Sequence, residues 1–413
     1  MRILAGRAAE ASVRKIVARS SRYAEVEPAV RRIVTDVRRD GDRALRKYAA
    51  RWDGLEPGIP VRVSSEEIQA AWTAAGSELK HSLRIAAANI RRFAEMQKPA
   101  EWARSHKGIS LGQLVRPLDS VGCYVPGGRY PLVSTLLMTV IPAQVAGVGR
   151  IAVVSPKPHA DLLAAAAMIG VEEVYRVGGA QAIAALAYGT ASVLRVDKIV
   201  GPGNLFVTAA KKQVSFDCAI DFLAGPTEVL IVSDTGTPEF IAADLVAQAE
   251  HDPEALAVFI TTRRDLAHQV ARCVKSLSIG NSIARRALQT NCRILISTSR
   301  QQSFEWANEI ASEHLTIERA DIALVRNAGS VFIGDYSPQA AGDYASGPNH
   351  VLPTGGVARF RGGLSVLDCV KLISVQNLSR SGLRQIAPTV EALANAEGLR
   401  AHAHSIRARC GRA

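Results

Sequence analysis

The side chains best suited to proton, metal or nucleotide chemistry fall in short clusters scattered along the chain. In QAEHDP (248–253), Gln248 and His251 stand three residues apart near the end of a predicted helix, so their side chains share one face. Imidazole is the commonest nitrogen donor to zinc and an amide oxygen an unusual one. The same spacing also suits a surface helix stopped by Pro253. Glu313 and His314 are neighbours where a helical pattern gives way to a strand pattern. Adjacent side chains diverge, which fits two separate proton-transfer tasks, although a helix end also favours a histidine through its dipole alone. Asp343 and His350 share the loop GDYASGPNH (342–350), either a turn-rich connector or a site wall. His402 and His404 would point in different directions on a helix, so at most one reaches a given site.

Two glycine turns, Gly178-Gly179 and GPGN (201–204), stand at the carboxyl ends of predicted strands. Small residues there let backbone N–H groups and a helix N-terminus approach a dinucleotide pyrophosphate. Neither is GxGxxG, and each also serves as an ordinary strand-to-helix turn.

The elements that must carry these groups change character along the chain. Residues 27–52 and 64–97 have helical periodicity, the second opened by a capping box of Ser64 and Glu67. After Pro117, short apolar runs alternate with Ala-rich helices. RIAVVSP (150–156), EEVYRVGG (172–179) and DKIVGPGN (197–204) read as strands separated by helices, and EVLIVSD (228–234), LAVFITT (256–262), RILIST (293–298) and SVFIGDY (330–336) as a second set. That rhythm predicts α/β architecture with parallel sheets covered on both faces, in two modules divided near Ala224 to Glu228. The last forty or so residues read as a helical tail.

The 413 residues are 48% hydrophobic, 21% charged and 5% aromatic, which excludes a disordered, collagenous or disulfide-dense chain. Six cysteines without CxxC spacing read as reduced thiols of a cytoplasmic protein. Through Trp52, fourteen Lys/Arg stand against six Asp/Glu. Asp36, Asp40 and Asp42 interrupt that run, so a solvated helix face is expected in place of a nucleic-acid surface or a transit peptide. The uncharged stretch Tyr130 to Gly149 is long enough to test as a membrane span, but Ser134, Pro142 and Gln144 argue for a core helix.

Taken together, YVPGG (124–128), GGAQAIAALAYGT (178–190), VDKIVGPGN (196–204), IDFLAGPTE (220–228), QAEHDP (248–253), EHL (313–315), GDYASGPNH (342–350), LPTGG (352–356) and EGLRAHA (397–403) resemble the histidinol dehydrogenases in kind and order. The resemblance covers nearly the whole chain. It implies two incomplete Rossmann-like α/β domains (23–118 with 229–367, and 119–228), an N-terminal helical arm (1–22) and a C-terminal tail (368–413) swapped within a homodimer whose subunits share sites. It also implies zinc- and NAD-dependent oxidation of L-histidinol through L-histidinal to L-histidine. Gln248, His251 and Asp343 would be zinc ligands, with His402 from the other subunit. His314 would be the general base and Glu313 the residue that activates water. Thr227, His350 and Glu397 would touch substrate along with the ligand residues and His314, and Tyr124, Gln181 and Asn204 would bind NAD. Two positions depart from the family pattern: Thr227 where serine is common, and Ser312 where proline often precedes the Glu-His pair.

Three other readings compete. A cysteine route through Cys123 needs an activated thiolate. A relative with the same machinery could oxidise another alcohol, such as a sulfonated diol, but it would not need His350 and Glu397. A basic nucleic-acid binder on this scaffold would give the Glu-His pair no purpose.

Overall fold

The computed structural model describes residues 1–19, 23–127 and 132–411. Gly128 of YVPGG and Tyr130 therefore lie outside the described residues. In chain order the strands are β1 (Arg2–Ala5), β2 (Trp102–His106), β3 (Ile109–Pro117), β4 (Ser120–Tyr124), β5 (Arg150–Val154), β6 (Glu173–Tyr175) and β7 (Lys198–Val200). They continue with β8 (Ala219–Ile220), β9 (Glu228–Val232), β10 (Leu256–Thr261), β11 (Arg293–Ile296), β12 (His314–Ile317), β13 (Ser330–Ile333) and β14 (Val370–Leu378). The chain divides into two units: Met1–Gln97 with Asp119–Cys369, and Lys98–Leu118 with Val370–Ala413.

The first unit holds two parallel sheets, as the alternation of apolar runs and helices predicts. One has the order β6-β5-β4-β7-β8, the other β1-β11-β10-β9-β12-β13. Strands of the second sheet are apolar on both sides because helices cover both faces. Val229, Ile231 and Phe259 pack into one core with Leu245 and Val270, while the alternate residues Leu230, Val258 and Leu315 pack into another with Phe304 and Ile310.

The helix Val133–Ala146 is buried over most of its length, so the uncharged stretch is a core helix, stopped at Gly147 in the left-handed conformation (φ 90). Among the described residues no helix is long and apolar enough to cross a membrane. On the helix Tyr23–Asp40, Val30, Ile33, Val34 and Val37 turn inward. The basic side chains stay in solvent, where Arg31 pairs with Glu27, Arg39 with Asp36 and Asp40, and Arg43 with Asp40. The capping box of Ser64 and Glu67 is formed.

The two ends of the chain need correction. The N-terminal arm is not wholly helical, since Arg2–Ala5 pairs parallel with β11 before the helix Gly6–Val17 begins. The C-terminal tail begins as a strand. VKLISVQNL, rich in β-branched residues, runs antiparallel to β3, whose other edge carries β2; the helices Arg380–Ala396 and Arg400–Cys410 follow.

Candidate active site

Glu313 and His314 stand where the chain enters β12. Ala311, in the left-handed region (φ 50), ends the helix Arg300–Ile310 and swings the backbone into the sheet. Ser312 braces the turn: its buried hydroxyl donates to the His314 carbonyl at 2.9 Å, a bond that a proline could not make. His314 pairs in register with Val229 of β9, which places the Glu228 carbonyl 3.1 Å from Nδ1. A carbonyl only accepts, so Nδ1 carries a proton and, in the neutral ring, Nε2 has the lone pair. That Nε2 is buried, lies 3.5 Å from Asp343 Oδ1, and has no hydrogen-bond partner among the described residues. Burial pulls the imidazole towards its neutral form, but Glu313 and Asp343 outweigh it and hold the pKa above the ordinary value.

Glu313 is buried, and Oε2 accepts from the Thr227 hydroxyl at 2.6 Å and from the Glu228 N–H at 2.8 Å. Desolvation nevertheless dominates and pushes its pKa up to about 7. Such a carboxyl can accept or hold a proton near neutrality, the property a general base needs. Oε2 lies 3.7 Å from His314 Nδ1, so the neighbours are closer than divergence predicts, yet the free nitrogen faces Asp343 on the other side of the ring.

Gln248, buried at the end of the helix Pro238–Ala249, donates through Nε2 to Thr227 Oγ1. His251 is exposed in the turn just beyond, close enough for its charge to bear on Asp343 and His350. His350 donates from Nδ1 to the Asp343 carbonyl at 2.7 Å, and its Nε2 lies 3.2 Å from the Thr135 hydroxyl; burial lowers its pKa. Thus Thr227, Gln248, Glu313, His314, Asp343 and His350 come together, with His251 at the edge. Glu397 and His402 are exposed residues of the second unit, after the helix Arg380–Ala396 and on the helix Arg400–Cys410.

Among the described residues no three His, Cys, Asp or Glu side chains form a metal cluster. The candidate ligands of the first unit are one amide, one imidazole and one carboxylate. They fit a borderline N/O cation, because Thr227 engages the Gln248 Nε2 and leaves Oε1 as the donor atom. Cys123 is fully buried, and burial drives its thiol far above the usual range. The thiolate route loses its nucleophile.

A separate cavity of about 690 Å³ opens at the carboxyl edge of the five-stranded sheet and brings together Tyr124, Gln181 and Asn204. Of the two readings of the glycine turns, anion cradle or ordinary strand-to-helix turn, the partners of the Gly178 and Gly179 N–H groups fit the second. Asp53 Oδ2 takes the Gly178 N–H at 3.0 Å and the Gln181 Nε2 at 3.0 Å, and the Tyr124 hydroxyl takes the Gly179 N–H at 3.1 Å. Asn204 Oδ1 takes the N–H groups of Phe206 and Val207. These donors are satisfied within the protein, so a nucleotide would meet side chains and turn backbone. Gly201 is required there: at φ 113, a Cβ would come within 2.2 Å of the Tyr124 carbonyl.

Asp53, Lys157 and His159 also line the cavity and escaped the sequence reading. Asp53 ends the π-helical turn Ala49–Asp53, and desolvation raises its pKa. The Asp-Gly stop after Trp52 marked the place, as did the basic residues directly beyond β5, at the strand end where ligands of parallel sheets bind.

A profile of the histidinol dehydrogenase family matches residues 17–410. The chain belongs to that family. It is 48% identical to the histidinol dehydrogenase of Methanosarcina mazei, over 97% of this chain and 96% of that one. To that of Methanothermobacter thermautotrophicus it is 49% identical, covering 91% and 92%. The crystal structure of the Elizabethkingia anophelis histidinol dehydrogenase superposes with a TM-score of 0.94 at 36% identity, over 99% of this chain and 98% of that one.

Proposed function

We propose that this chain oxidises L-histidinol through L-histidinal to L-histidine, the closing steps of histidine biosynthesis, with two hydrides passed in turn to NAD. The observation that carries the reading is the buried Glu313–His314 pair, in which the Glu228 carbonyl fixes the imidazole tautomer and leaves Nε2, without a hydrogen-bond partner among the described residues, as the acceptor of the neutral ring. His314 Nε2 takes the hydroxyl proton as the adjacent C–H bond gives up its hydride. Glu313 takes a proton from the water that adds to the aldehyde, and the resulting hydrate loses the second hydride to become the carboxylate. Tyr124, Gln181 and Asn204 hold NAD, while Thr227, His350 and Glu397 contact substrate. Gln248, His251 and Asp343 would hold zinc together with His402 of a second copy. When bound, NAD would supply the hydride acceptor and zinc a positive charge that orients the amino alcohol and counters the pull of Asp343 on His314.

The same reading gives two incomplete Rossmann-like domains and a homodimer in which the C-terminal segment crosses to the partner and completes each site. Leu372, Ile373 and Val375 lie exposed along β14, apolar surface that a second copy would cover. A cytoplasmic location belongs to this proposal and rests on the free thiols.

Purified protein supplied with NAD and L-histidinol should form two NADH per histidine. No turnover of histidinol alongside oxidation of a sulfonated diol would overturn the substrate.

A further inference from the structure

Thr227 places a single hydroxyl between two functional side chains. Its Oγ1 accepts from Gln248 Nε2 and donates to Glu313 Oε2 at 2.6 Å. A hydroxyl has one proton, so the pair of bonds has a direction. With Nε2 committed as a donor, the amide oxygen of Gln248 is turned the other way. With the hydroxyl proton aimed at Oε2, the Glu313 carboxyl is held by that bond and by the Glu228 N–H at 2.8 Å. Gln248 and Glu313 are buried, so neither can exchange these partners for bulk water at low cost. The three residues reach this point from different elements: the segment before β9, the end of the helix Pro238–Ala249, and the entry to β12. Branching at Cβ restricts the rotamer, so Thr227 points its hydroxyl more firmly than serine would.

We propose that Thr227 is a positioning residue that ties the orientation of the Gln248 amide to that of the Glu313 carboxylate, presenting Gln248 Oε1 to the cation and Glu313 to the water of the second oxidation. This goes beyond substrate contact at Thr227 and rests on the proposed ligand role of Gln248. Thr227→Val keeps the side-chain shape and removes the hydroxyl; Thr227→Ser keeps the hydroxyl and removes the methyl.

The test uses the full-length protein in two measurements: zinc affinity by competition with a chromogenic chelator, and single-turnover NADH formation started separately from histidinol and from histidinal. Thr227→Val should bind zinc about 10- to 100-fold more weakly, the usual cost of losing a partner behind a metal ligand. It should also lose more of the histidinal step than of the histidinol step, and Thr227→Ser should restore both. Zinc affinity unchanged in Thr227→Val overturns the proposal, as does an equal fall of both half-reactions or a serine variant no better than valine. If histidinol is not a substrate, the functional reading fails while the zinc comparison still decides the positioning role. An unmodified chain that binds no zinc overturns both.

Discussion

The two parallel sheets of the first unit share a plan and use opposite edges of it. In the five-stranded sheet the chain builds outward from β4 through β5 to β6, then returns to place β7 on the other side of β4. In the six-stranded sheet it goes from β9 through β10 to β11, then returns to place β12 beside β9. Each reversal leaves a crevice at the carboxyl ends of the strands, where ligands of such sheets usually bind. The first crevice is open and forms the cavity of Tyr124, Gln181 and Asn204.

The second is filled by protein. There Glu318 accepts from Ser233 Oγ at 2.9 Å, from the Asp234 and Thr235 N–H groups at 2.8 and 3.0 Å, and from the Thr235 hydroxyl at 2.9 Å. Arg300 closes the cluster by pairing with Glu318, Asp234 and Asp321. Glu313 and His314, the pair proposed to be reactive, sit at the other edge of this sheet, where β9 and β12 begin. Topology offers a crevice, and side chains decide whether it becomes a site or a brace.

The largest effect that could break this comparison is at the amino edge. His314→Gln should lower histidinol oxidation by about 10²- to 10⁴-fold, the usual value of a general base. Glu313→Gln should spare the first hydride transfer more than the second. Near-normal single-turnover rates for His314→Gln would move the chemistry elsewhere.

The brace predicts a pH dependence of stability with no change in chemistry. Burial raises the Glu318 pKa, but the Asp234, Ser233 and Thr235 donors and Arg300 prevail and bring it down to about 2. A carboxylate depressed in the folded state stabilises above its unfolded value and loses that contribution as pH falls from about 4.5 to about 2. Denaturant titrations of Glu318→Gln should therefore show lower stability at neutral pH and a flatter acid limb, with turnover at neutral pH close to that of the unmodified protein. An unchanged acid limb would remove Glu318 from the brace.

The smallest effect sharpens the open crevice. Asn204→Ala removes the cap of the helix Leu205–Val214 and should cost about 1 kcal/mol of stability. It should also raise the KM for NAD, and a KM that stays put would reduce Asn204 to a helix cap.

Much of this could be read in the chain itself. The parallel sheets followed from apolar runs alternating with helices, and the Ser64–Glu67 cap from local spacing. Glu313 and His314 stood out because both titrate and the pattern changes beneath them. β1 and β14 were hidden because a strand takes its stability from neighbours distant in sequence, here β11 and β3. Asp53 was hidden for a related reason: its partners Gly178 and Gln181 lie more than a hundred residues away.

The sequence by itself determined which residue types are present, their local periodicity and hence the class of fold, since those depend on neighbours within a few positions. Only tertiary structure decided which nitrogen of His314 faces a carbonyl, that Thr227 joins Gln248 to Glu313, and that Asp53 takes the N–H of Gly178 at a glycine turn. Tautomer, hydrogen-bond direction and desolvation are set by atoms brought close in space, and no local spacing encodes them.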